Sequence, residues 1–211
     1  MPDEQSNVFA FIDGQNLYLG TKNDFYEPIT QEWYGLVYKG WKLDYKKLRI
    51  YLRDKYRVEK AYYFIGYDAG NSILYKSLQE FGYIVSFKPT FRGPNGMKGN
   101  CDAELVLQAM IDFPEYDKAI IVTGDGDFGC LVKYLISKNK LETVLAPNYE
   151  KSSWLLREAA QNKYIAFMNG LEDKLKLEVK KEKSSIRTKP FRNSFHRNSS
   201  VNIAPNSKIV K

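Results

Sequence analysis

Two aspartates separated by one glycine, Asp125-Gly126-Asp127, follow the β-branched run Ile120-Ile121-Val122-Thr123 almost directly. Two carboxylates on so short a turn reach one point in space, and like charges that close repel unless a cation holds them. Two further stretches deliver an acid in a comparable way. Val8-Phe9-Ala10-Phe11-Ile12 runs into Asp13-Gly14-Gln15-Asn16, and Lys98-Gly99-Asn100-Cys101 leads to Asp102 at the head of an apolar segment. A single Asp after a strand is ordinarily just the cap of the next helix. If the strands ending near Asp13 and Asp125 are neighbours, however, they lie about 5 Å apart and their acids meet. The expectation is that Asp13, Asp102, Asp125 and Asp127 converge on a divalent cation. An all-carboxylate donor set suits Mg²⁺ or Mn²⁺, ions that clamp the attacking and leaving oxygens of a phosphodiester displacement.

Supporting roles attach to the neighbours of these acids. Asn16 is placed to hold a ligand or a phosphate oxygen, Thr123 a water, and Lys98 the scissile phosphate. Residues 90–100 are glycine-rich and cationic, so Arg92, Lys98 and the backbone amides read either as a phosphate cradle or as a merely flexible loop. Glu104 is a further acid near Asp102, whereas Asp112, far along the same segment, reads as a solvated surface acid.

The composition excludes several other chemistries. The single histidine, His196, lies far toward the carboxyl end, which rules out a histidine base or a Ser-His-Asp triad in the folded part. Cys101 and Cys130 follow no metal-ligand spacing and read as two reduced thiols of a cytoplasmic protein. No Gly-x-Gly-x-x-Gly follows the first apolar run, so a dinucleotide cofactor is not indicated. No run approaches the roughly 18 apolar residues of a membrane span, and the acidic start Met1-Pro2-Asp3-Glu4-Gln5 does not resemble a secretory signal.

The acids need a scaffold, and the periodicity supplies one. Strands are expected at 7–12, 60–67, 83–89, 118–123, 141–146 and, briefly, 164–168. Helices are expected at 43–56, 72–81, 102–113, 128–137, from Ser152 or Ser153 through 160, and at 171–181. This alternation implies right-handed crossovers and an α/β fold of three layers, with a mainly parallel central sheet. Residues 17–43 interrupt it, being far longer than the usual connection of about 2–6 residues. Their aromatics, among them Tyr18, Tyr26, Trp33, Tyr34 and Trp41, interleave with Lys22, Lys39 and Lys42. They form either a surface for stacking bases or a lid or short hairpin packed on the core.

The chain thus divides into a domain over 5–170, a polar helix over 171–182 and a basic tail over 183–211. The formal charge of +7 is concentrated at one end: residues 174–211 hold 11 of the 32 Lys and Arg but 2 of the 25 Asp and Glu. Too polar to order itself, the tail suggests an anionic partner, with nucleic acid first among them.

Phe11-Ile12-Asp13-Gly14-Gln15-Asn16, Lys98-Gly99-Asn100-Cys101-Asp102-Ala103-Glu104-Leu105 and Val122-Thr123-Gly124-Asp125-Gly126-Asp127-Phe128, in this order and spacing, resemble the NYN domain, the LabA-like branch of the PIN-like nuclease superfamily. The resemblance spans about residues 7–168. It implies a Rossmann-like PIN fold, Mg²⁺ or Mn²⁺ at a shared acidic cluster formed by Asp13, Asp102, Asp125 and Asp127 with Asn16 beside them, and cleavage of RNA, single-stranded in the first instance, by metal-activated water. Many members carry a further acid about two turns along the helix after the Lys-Gly loop, where this chain has Gln108; a neutral amide there weakens any second metal site, with Glu104 the candidate substitute. A catalytically silent RNA-binding module and a metal-dependent phosphatase or nucleotidase are the competing readings.

Overall fold

The structure, a computed structural model, describes residues 6–30, 33–89 and 101–178, together with the backbone of 91–93 and 96–98. The tail at 183–211 and the end of the expected helix at 171–182 lie outside the described residues.

The first strand, β1 (Val8–Asp13), explains the layering. Its side chains alternate between two apolar clusters: Val8, Ala10 and Ile12 enter one, Phe9 and Phe11 the other. A strand buried on both faces belongs in the middle of a parallel sheet. After β1 come α1 (Gly14–Lys22), the ribbon β2 (Phe25–Pro28) and β3 (Tyr34–Tyr38), α2 (Tyr45–Tyr56), β4 (Val58–Gly66), α3 (Ser72–Glu80) and β5 (Ile84–Lys88). The short β6 (Phe91–Gly93) and β7 (Gly96–Lys98) precede α4 (Asp102–Ile111), β8 (Lys118–Val122), α5 (Gly129–Ser137), β9 (Leu141–Ala146), α6 (Trp154–Ala159), β10 (Ile165–Phe167) and α7 (Glu172–Leu175).

Six strands form one sheet in the order β10-β9-β8-β1-β4-β5, and every pairing in it is parallel. Leu17 of α1, Leu48 and Leu52 of α2, Leu78 of α3 and Leu175 of α7 pack on one face. Leu105 and Ala109 of α4, the Leu131, Val132 and Leu135 trio of α5 and Leu156 of α6 pack on the other. The expected three-layer α/β architecture is therefore present, with β1 and β8 adjacent at its centre: Ile12 pairs with Val122 at their carboxyl ends.

Four local readings change. The stretch after β1 opens with a helix, because α1 turns Gly14, Leu17, Gly20 and Thr21 inward and leaves Tyr18 and Leu19 outside. The rest of 17–43 holds a hairpin, as one of the two readings had it, with Tyr38 and Trp41 packed on the core. Its other aromatics are not core: Trp33 is 72% and Tyr34 65% exposed. Residues 91–98 include a small antiparallel hairpin, with Phe91 paired to Lys98, in place of a structureless loop. The helix expected from 171 stops at Leu175. Lys176 turns extended and bridges Leu43, and the Leu177 N–H donates to the Lys42 carbonyl, so this segment joins the domain as an edge.

One close approach seats the start of α1 beside the sheet. A Cβ on Gly14 would lie 2.7 Å from the Phe64 carbonyl oxygen of β4 and run into the Tyr63 ring. Backbone cannot yield as a flexible side chain can. Gly14→Ala should therefore cost about 1–3 kcal/mol of stability, measured by urea unfolding. Unchanged stability would show that α1 does not hold this position.

Candidate metal centre

Each acid is delivered by the end of a regular element at the carboxyl edge of the sheet. Asp13 ends β1 and caps α1, its Oδ1 accepting from the Asn16 N–H at 3.0 Å. Its Oδ2 accepts from the Thr123 hydroxyl at 3.2 Å, and Thr123 is fully buried just past β8. That hydroxyl in turn accepts from the Asp125 N–H at 3.1 Å. Asp125 caps a single 3₁₀ turn, Gly126–Phe128, by accepting from the Asp127 N–H at 3.0 Å. Asp102 is the first residue of α4, where the helix dipole favours a negative charge.

Among the described residues, Asp102, Asp125 and Asp127 form one group in which one carboxylate oxygen from each lies within 4.8 Å of the others. Asp13 lies outside that group but within its field. Burial pushes its carboxyl above the ordinary value; the charges of Asp102 and Asp125 add to the rise, while the Asn16 and Thr123 hydrogen bonds oppose it. Three of the four expected acids are thus within reach of one ion, and the fourth sits behind them with both oxygens engaged. The donor set holds only carboxylates, which fits a hard divalent cation rather than zinc or copper.

Each of the supporting residues that the structure describes has a partner within the fold. Asn16 spends its side-chain oxygen on the Gly124 N–H at 2.8 Å, tying α1 to the turn that carries Asp125. Thr123 bridges Asp13 to the Asp125 backbone. Glu104 pairs with Lys88 at the end of β5, 3.1 Å away, and is not part of the acidic group. Gln108 reaches the other way along α4 and donates to Asp112 Oδ1 at 2.9 Å. Asp112, expected to be solvated, is only 5% exposed; it is enclosed by the aromatic packing around Tyr62 and Tyr116 at the opposite edge of the sheet. The side chains of Arg92 and Lys98 lie outside the described residues.

A further wall was not anticipated. The loop after β9 closes over the turn, with the Ser153 N–H donating to the Gly124 carbonyl at 2.8 Å. A Cβ on Gly126 would lie 2.5 Å from Ser153 Oγ, so glycine is what lets the turn fit beneath this loop. Buried Asn148 holds the loop by accepting from the Glu150 and Lys151 N–H groups at 2.8 and 3.2 Å. Arg157 completes it with bonds to the Tyr149 and Ser152 carbonyls and the Ser152 hydroxyl. The signal was Pro147-Asn148 directly after an apolar strand, at the sheet edge where ligands bind.

Cys101 does not compete as the reactive group. Burial, with the Glu104 charge behind it, pushes the Cys101 thiol up to about 11, which suppresses the thiolate. Cys130 is exposed, and both are free thiols. No helix among the described residues is long and apolar enough to cross a membrane.

Comparison with known proteins fits this geometry. The fold is similar to the crystal structure of a protein of unknown function from Vibrio parahaemolyticus, with a TM-score of 0.62 at 23% identity over 83% of this chain and 99% of that one. No functionally curated protein matches the chain. The family model of the NYN domain matches residues 7–172, nearly the whole described part. The chain belongs to the NYN domain family, within the PIN-like nuclease superfamily.

Proposed function

We infer that this protein is a metal-dependent ribonuclease in which Asp102, Asp125 and Asp127 hold one Mg²⁺ or Mn²⁺, with Asp13 beside them. The observation that carries the reading is the gathering of these three carboxylates within 4.8 Å at the carboxyl edge of the sheet. A family typified by nucleases supports it. A bound divalent ion supplies an activated water and charge neutralisation at the phosphate.

The protein's own contribution is to hold the acids against their mutual repulsion. Thr123 and Asn16 fix the Asp13 and Asp125 backbones relative to each other, and the 147–153 loop keeps the Asp125-Gly126-Asp127 turn in place. Burial pushes the Asp13 carboxyl up, which favours its protonated form. With Glu104 tied to Lys88 and Gln108 turned to Asp112, a second ion lacks an acidic ligand from α4 beyond Asp102. One ion at a time is the reading this favours.

That same shortage of acids favours one alternative, an NYN module that binds RNA without cutting it. End-labelled single-stranded RNA separates the two. The nuclease reading expects cleavage in Mg²⁺ or Mn²⁺, none in EDTA, and a loss greater than roughly 100-fold in Asp125→Asn, since removal of an outer-shell partner alone costs up to that. Binding without cleavage in any metal would favour the silent module. Free nucleotides hydrolysed faster than polymer would point to a nucleotidase.

Thermal unfolding gives a second, activity-free prediction. Asp125→Asn removes one of three crowded charges, so the metal-free variant should melt above the metal-free wild type. Mn²⁺ at about 100 times its dissociation constant should stabilise the wild type by about 2.7 kcal/mol, and the variant far less. A wild type unmoved by Mn²⁺ and Mg²⁺ would contradict the proposed site.

A further inference from the structure

A second charged surface runs along α2, and the proposed chemistry does not use it. Residues 1–173 are slightly acidic as a whole, with 21 basic and 23 acidic side chains. Yet α2 and the residue that ends it carry six of those basic groups and one acid: Lys46, Lys47, Arg49, Arg53, Lys55 and Arg57 against Asp54. Lys46, Arg49, Arg53 and Arg57 recur at spacings of three and four, which puts them on one face of the helix. Two shallow grooves open along that face. One, of about 510 Å³, is lined by Lys46, Arg49, Ile50, Arg53, Glu80 and Phe81. The other, of about 590 Å³, takes Arg49 and Arg53 again, with Arg57 and Glu59.

Helix stability does not account for this stripe. Cations near a helix carboxyl end interact well with its dipole, which covers Arg53 and Lys55. Lys46 sits in the first turn, where the same dipole opposes it, and it makes no ion pair among the described residues. Arg57 makes none either. Arg53 gives its Nε to Asp54 at 2.8 Å, which leaves the terminal nitrogens of its guanidinium. Arg49 is the structural member: it donates to the Gly82, Val58 and Glu59 carbonyls and anchors the helix at the foot of β4.

The stripe also begins toward the edge of the sheet where β1 delivers Asp13. Tyr45, in the first turn of α2, packs edge-on against Tyr63, whose hydroxyl donates to the carbonyl of Gly14, the residue after Asp13. From there Lys46 to Arg57 descends about 16 Å along the helix at 1.5 Å per residue. We propose that the Lys46–Arg53–Arg57 face of α2 is a track for the phosphodiester backbone of RNA, carrying the strand that enters or leaves the acidic centre. Its cations offset the repulsion that the acids exert on a polyanion. The proposal rests on the ribonuclease reading for the polymer's identity, and its location rests on the charge and grooves of α2 alone.

The test measures RNA affinity against salt in EDTA, which makes it independent of cleavage. Full-length wild type is compared with the full-length triple variant Lys46→Ala, Arg53→Ala, Arg57→Ala, using fluorescence anisotropy of labelled single-stranded RNA. Arg49 is left in place so that the helix stays anchored, and an unchanged melting temperature checks this. A control removes Lys118, Lys133 and Lys138, which lie outside the stripe. Each lost phosphate contact flattens the plot of log affinity against log salt by about 0.7. The stripe variant should therefore be shallower by about 2, and the control should match the wild type. An unaltered slope in the stripe variant, or an equal loss in the control, would overturn the track whether or not the protein cuts RNA.

Discussion

Asp13 and Asp125 stand at the ends of two strands, β1 and β8, that are hydrogen-bonded neighbours in the middle of the sheet. Parallel pairing at about 5 Å puts Asp13 within the field of Asp125, while Asp102 and Asp127 gather with Asp125 itself. The rest of the site makes that crowding tolerable. The buried Thr123 hydroxyl and the Asn16 amide cross-link the two strand ends. A loop stapled by Asn148 and Arg157 presses the turn from above, and two apolar clusters below fix the strands themselves. On the proposed reading, such a site costs stability when empty and regains it when a cation enters.

What the sequence reveals depends on how local the cause is. β1 and β8 were legible because a strand buried on both faces must be apolar throughout. Helix α1 was not. Apart from Leu17, its inward positions are the small residues Gly14, Gly20 and Thr21, with Gly14 close against β4 and Gly20 against Pro147, while Tyr18 and Leu19 face outward. Hydrophobic periodicity fails wherever the space between elements is too narrow for large side chains. The hairpin over 91–98 escaped because three-residue strands carry too few positions to show alternation.

Non-local causes set the surroundings of two acids on α4 and just past it. Asp112 looks like any helix-terminal surface acid in the chain, and only the fold encloses it with Tyr62, Tyr116 and Gln108. Glu104 is near Asp102 in sequence yet is claimed by Lys88 from a different strand. The shortened end of the expected 171–182 helix has the same origin, since Lys176 and Leu177 exchange helical bonds for partners at Leu43 and Lys42. In each case composition was right about polarity, and tertiary pairing decided the role.

The central claim, that the carboxyl edge of this sheet is a metal centre, is most directly tested by Mn²⁺ anomalous diffraction from crystals of the protein soaked in the ion. The account predicts one strong peak within coordination distance of Asp102, Asp125 and Asp127. A dataset with no peak there, or with its peak elsewhere on the surface, would contradict it.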